Sequence, residues 1–203
     1  IKHKPKILIG KDTRISGDML EAALTAGLCS VGAQVVSLGV IPTPAVAYLT
    51  REYDADAGVV ISASHNSAEY NGIKIFNANG YKLNDAIEER IEDLILVDDS
   101  EIRMPTGDDV GTVTKCDTAV RDYVEFAKST IDCDLNGMKI AVDCANGASY
   151  QTSTCVLAEL GAEIYTVANH PNGTNINLNC GSTHTEKFGE YVKNINVDIG
   201  LSF

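Results

Sequence analysis

Positive charge is scarce in this sequence: 16 basic residues stand against 28 acidic ones, a formal charge of -12 over 203 residues, and the basic residues form no patch. Such a balance repels nucleic acid and anionic membranes, so neither is expected as a partner. No apolar run approaches the ~20 residues that cross a bilayer, and the N-terminus has no signal-peptide core. A cytoplasmic protein is the simplest expectation. No CxxC pair occurs among Cys29, Cys116, Cys133, Cys144, Cys155 and Cys180, and no histidine stands near them at zinc-site spacing. Buried, reduced thiols are therefore expected, ahead of metal ligands or disulfides. No glycine-rich dinucleotide fingerprint opens any helix, which argues against a Rossmann dehydrogenase.

What is present is an ordinary globular balance, 44% hydrophobic and 22% charged, with enough apolar side chains for a core. The length admits one large domain or two smaller ones. Short apolar runs alternate with helical periodicity. Lys6 to Gly10, Gln34 to Val40, Ala57 to Ser62 and Ile73 to Phe76 read as strands. Between them, Ser16 is positioned to cap a helix through Leu28, and Thr43-Pro44 to open one that continues over Ala45 to Tyr53. Asp85 opens a third helix with Ile87, Ile91, Leu94 and Ile95 along one face.

Residues from about 97 to 115 are rich in Asp, Gly, Thr and Pro, so residues 101–116 are expected to link a domain over 1–100 to a second over 117–203. In that second unit Val120, Tyr123, Val124 and Ala127 mark a helix, Lys139 to Asp143 a strand, 149–160 a helix and Glu163 to Ala168 a strand. Thr183 with Glu186 matches a capping box before a further helix, and Val197 to Phe203 reads as a last strand. The class is α/β, with two βαβ-type domains and mostly parallel mixed sheets. The last strand stops without a following turn, so the chain is expected to be a fragment with its second domain incomplete.

The chemistry concentrates in Ser62-Ala63-Ser64-His65-Asn66-Ser67, which begins where an apolar strand ends, at the sheet edge where α/β proteins bind ligands. The Asn71-Gly72 turn then returns Lys74 toward that edge. A serine hydroxyl needs a base or a positive field to become nucleophilic, and a phosphate attached to it needs cations and donors. His65 and Lys74 offer both, and Lys74 is also a candidate acid/base group. Taken alone, a Ser-His pair in a loop is more often a solvated turn.

The full ordered string, however, resembles the active-site signature of the α-D-phosphohexomutase superfamily. The resemblance implies that Ser64 carries a transferable phosphate, with His65, Asn66 and Lys74 around it; Ser67 stands where proline is usual. Three more segments are similar to its phosphoglucosamine mutase branch: Gly10 to Gly17, Gly39 to Arg51, and Cys180 to His184, which runs on into Thr185 in place of proline. By resemblance the activity is interconversion of glucosamine 6-phosphate and glucosamine 1-phosphate, in a bacterial cytoplasm, with a hexosamine phosphate as substrate and a homodimer left open. Arg14 invites a role in binding phosphate, against the alternative of an ion pair with Asp12.

The resemblance also implies Mg²⁺ against the phosphoserine, held by an Asp-x-Asp-x-Asp-Arg loop after a strand like Val197 to Phe203. Those aspartates are not in this sequence. Ser64, through its phosphate, is the one metal-associated residue expected here, and the chain alone is expected to bind Mg²⁺ weakly and to lack mutase activity. Other readings are a phosphomannomutase or phosphoglucomutase, or a non-catalytic sugar-phosphate-binding module.

Overall fold

A computed structural model describes residues 3–97 and 102–203. In chain order the elements are β1 (Lys6–Lys11), α1 (Ser16–Ser30), β2 (Gln34–Val40), α2 (Thr43–Glu52), β3 (Ala57–Ile61), β4 (Ile73–Asn77) and α3 (Asp85–Leu96). A short 3-10 turn over Gly107–Asp109 precedes β5 (Val113–Lys115) and α4 (Ala119–Ser129). Then come β6 (Lys139–Asp143), α5 (Thr152–Glu159), β7 (Glu163–Val167), α6 (Thr185–Ile195) and β8 (Ile199–Ser202).

Two sheets form, in the orders β4-β3-β1-β2-β5 and β7-β6-β8. Every pairing is parallel except β3 with β4, whose short connection permits an antiparallel return. From β1 the chain crosses to β2 on one side and then to β3 on the other, so α1 and α2 cover opposite faces. Their cores are separate: Leu8, Val60 and Leu49 pack on the α2 face, and Ile9, Val59 and Ile61 on the α1 face. The second sheet repeats this reversal about its central strand β6. Each sheet thus has its switch point at the carboxyl end of a central strand, where ligands are expected to bind.

Gly58 shows how tightly α2 sits on the sheet. A Cβ there would lie 2.1 Å from Thr50 Oγ1, and that hydroxyl is already committed, donating to Val46 O at 2.7 Å. Gly58→Ala is therefore expected to destabilise the fold by about 1–3 kcal/mol, seen as a lower urea midpoint with an unchanged slope.

Several boundaries differ from the sequence reading, each for a local reason. Ser16 is the first residue of α1 and not its cap, and its hydroxyl accepts from Asn71 Nδ2 at 2.9 Å. Pro42, not Thr43, caps α2. Asn84 caps α3 by accepting from the Ile87 N–H at 3.0 Å. The capping box before α6 does not form; His184 holds the cap position without a side-chain bond. The apolar face of α3 buries no residue. Cys144 is the one buried cysteine; all six are free thiols and Cys133 is exposed.

The expected domain boundary at residues 100–101 lies outside the described residues. Within the stretch read as a linker, β5 pairs with β2 and extends the first sheet. The next helix, α4, places Ala119 in the α2-face core and stacks Phe126 on Tyr48 of α2 at 3.7 Å between ring centroids. On its other side it joins α5, where Arg121 and Lys128 both reach Glu159. Below it, burial and a hydrogen bond to Asp122 push the Tyr53 phenol above its ordinary range. The two sheets are thereby held through a shared helix.

Candidate active site

The carboxyl ends of both sheets open on one cavity of about 490 Å³, lined from the first sheet by Asp12, Pro42 to Pro44, Ser62, Ser64 and His65, and from the second chiefly by Ser149, Ser153, Asn177 and Phe203. That volume suits a small-molecule ligand. The two switch points meet directly: Thr13 Oγ1 donates to Asn146 O at 2.5 Å, and the Ile15 N–H donates to Gly173 O at 2.9 Å.

Ser64 is the first exposed residue after β3. It is held at φ +56°, a left-handed conformation rare for a serine. Its N–H donates to Ser62 Oγ at 3.1 Å, while the Ser62 N–H donates to Gly72 O at 2.8 Å and carries the β3–β4 ladder one step further. The Ser64 hydroxyl and the His65 ring make no hydrogen bond among the described residues, so both are available to a ligand in the cavity. Asn66 is exposed beside them.

Lys74 faces Val60 across the β3–β4 pair. Residues directly opposite share a sheet face, so Lys74 stands on the α2 face, the same side as Ser62. It is exposed and without an ion pair among the described residues, but it does not line the cavity. The structure thus brings Ser64 and His65 to the cavity, and Lys74 is not among the residues that line it.

Of the two readings of Arg14, the ion pair with Asp12 is the one that forms. Its side chain is fully buried, paired with Asp12 and donating through Nη2 to the carbonyls of Ser64 at 3.2 Å and Asn66 at 2.6 Å. Nη1 and Nη2 are thus engaged with Asp12 and the loop, and the buried Nε has no partner among the described residues; the guanidinium supports the loop from beneath. Asn177, which the sequence reading passed over, reaches the same two carbonyls from the other sheet, at 3.0 and 2.9 Å.

In the second sheet Asp143 is also buried and occupied, accepting from the N–H groups of Ala145 at 2.9 Å and Gly181 at 2.7 Å. It shapes the Cys180 to His184 loop against β8. Burial, and then the Asp143 charge, push the adjacent Cys144 thiol up to about 11, so it stays protonated at neutral pH. The remaining histidines are engaged elsewhere or apart: His3 pairs with Asp56, and the His170 N–H donates to Asn146 Oδ1.

Among the described residues no three His, Cys, Asp or Glu side chains form a group able to hold a metal ion. Asp12, the one carboxylate among the described lining residues, and Asp143 of the second sheet are both committed to internal donors. These residues do not by themselves fit a Mg²⁺ ion.

Residues 1–101 match the family model of phosphoglucomutase/phosphomannomutase, alpha/beta/alpha domain I. The fold agrees: a phosphoglucomutase/phosphomannomutase family protein from Burkholderia thailandensis superposes on the whole chain with a TM-score of 0.80 at 24% identity, covering 44% of that protein. A phosphomannomutase-like structure from Thermus thermophilus gives 0.76 over 94% of the chain and 44% of its own, at 22% identity. Residues 1–101 are thus a domain of the phosphoglucomutase/phosphomannomutase type, and the chain as a whole has the fold of those structures. In sequence the chain is similar to phosphoglucosamine mutases, 62% identical over 201 residues to that of Clostridium novyi and 61% over 202 to that of Ruminiclostridium cellulolyticum. It spans 45% of the length of each of these relatives.

Proposed function

We propose that the gene product carrying this chain interconverts glucosamine 6-phosphate and glucosamine 1-phosphate, with Ser64 as the residue that gives and takes the phosphoryl group. The observation that carries this reading is an exposed serine in a left-handed turn, at the cavity where both sheets end, in a chain 62% identical to a phosphoglucosamine mutase.

In the forward step the bond between Ser64 Oγ and phosphorus breaks, Ser64 Oγ takes up a proton, and phosphorus bonds to a free sugar hydroxyl, whose proton passes to a nearby base. In the return step Ser64 Oγ gives up its proton and bonds to the other phosphate of the resulting bisphosphate, and the sugar oxygen left behind regains a proton. His65 and Asn66 flank the phosphate as donors, and Lys74 approaches from the α2 face as a compact cation or acid/base group. Phosphoryl transfer relies chiefly on positioning and charge neutralisation. Mg²⁺ would add to that neutralisation, with the phosphate on Ser64 as its one contact from this chain. The cytoplasm is the proposed compartment, in keeping with six free thiols.

The test is intact mass together with turnover. The complete gene product is expected to carry about 80 Da on Ser64, removable by phosphatase, and to favour glucosamine phosphates over glucose and mannose phosphates. An unmodified Ser64 in a protein that still turns over would refute the reading.

A further inference from the structure

We propose that Asn177 is a positioning residue for phosphoryl transfer, acting from the second sheet on the backbone of the Ser64 loop; this rests on the reading of Ser64 as phosphoryl donor and acceptor. Arg14 Nη2 and Asn177 Nδ2 each donate to both the Ser64 and the Asn66 carbonyl, at 2.6 to 3.2 Å. Each nitrogen carries two hydrogens and each carbonyl oxygen two lone pairs, so the four bonds form a closed square with every valence filled. Both partners of the Asn177 amide are carbonyl oxygens, and only its NH₂ end can serve them.

The Ser64 carbonyl lies in the peptide plane that enters His65 and the Asn66 carbonyl in the plane that leaves Asn66, so the square brackets His65 and Asn66 and fixes the backbone from Ser64 to Asn66. Ser64 is held at φ +56°, a conformation that costs energy and persists only where the surroundings enforce it. With the Asn177 half of the square gone, Ser64 is free to relax to negative φ, which swings Oγ away from its place in the cavity. Asn177 is itself well anchored: its N–H donates to Ala145 O at 2.9 Å, and its own φ is +58°. Arg14 sets the loop on the first sheet, and Asn177 registers it against the second.

Two substitutions separate the amide from the backbone it sits on, because both tolerate a left-handed φ. Asn177→Asp keeps the shape and replaces two donors by an anion facing two carbonyls; Asn177→Gly removes the side chain. In the complete gene product both are expected to fold, to lose roughly 10- to 100-fold in kcat and to keep KM for the sugar monophosphate within about threefold. Amide exchange across residues 63–67 should quicken in both. Wild-type kcat in either folded variant overturns the proposal, as does a loss that merely tracks the amount of folded protein. Failure of the unsubstituted protein to accept a phosphoryl group on Ser64 sinks the underlying reading instead, and this inference with it.

Discussion

Ser64→Ala in the complete gene product is expected to abolish phosphoryl transfer, lowering kcat by a factor on the order of 10⁴ or more, as loss of a covalent nucleophile does, while leaving the thermal midpoint almost unchanged. The asymmetry follows from where the hydroxyl sits. Ser64 is exposed and its Oγ bonds to nothing among the described residues, so its removal costs the fold little. The neighbouring hydroxyls are placed differently: Ser62 Oγ, at the cavity wall, accepts the Ser64 N–H at 3.1 Å, and Ser67 lies beyond the square that fixes residues 64 to 66. Single-turnover transfer from a hexose bisphosphate, read by intact mass, checks this directly. A variant retaining more than about a hundredth of wild-type turnover would assign the phosphate to another residue.

Arg14→Ala is expected to act in the opposite way, first on stability. The side chains of Arg14 and Asp12 are 0% and 4% exposed. Removing one member of a buried pair strands the other charge and typically costs about 3–5 kcal/mol. Here two carbonyls of the Ser64 loop also lose a donor. Guanidinium unfolding should show the loss, and a second chain carrying Asp12→Asn together with Arg14→Ala should recover part of it, because no buried carboxylate is then left unpaired. Arg14→Lys tests the geometry: it restores charge but not the planar fork that meets Asp12 and both carbonyls at once. If Arg14→Ala is as stable as the parent while losing phosphate affinity, the residue is a ligand after all and the support role assigned to it is wrong.

These two residues also show what was legible in the sequence and what was not. Ser64 could be found because its neighbours form an ordered string at the end of an apolar run, and an apolar run bounded by polar residues reports a strand end without any tertiary information. β2 and β6 were read to the residue for the same reason. Arg14 stands between two readings in the sequence because Asp-x-Arg has the same spacing whether the guanidinium faces a ligand or a pair of carbonyls; only the path of the loop above it decides. Asn177 sits in a stretch with asparagine at 169, 172, 175, 177 and 179, a composition that signals turns but not which carbonyl any one amide will meet.

β5 escaped because three exposed residues, Val113 to Lys115, carry no periodicity, and their strand exists only through pairing with β2. The helix caps failed for a related reason. Ser16, Thr43 and Thr183 all have the right chemistry, but the loops entering those helices bring other residues to the cap position.

The square of bonds beneath the Ser64 loop has an effect on selectivity. With the Ser64 and Asn66 oxygens saturated from within, neither has a lone pair left for a visitor. What the loop offers outward is a hydroxyl, an imidazole and a carboxamide, so an ammonium group or a bare cation finds little to grip while an oxyanion finds hydrogens. The same internal wiring that holds the backbone still therefore acts as a polarity filter, admitting guests by the sign of their charge before any side chain has recognised their shape.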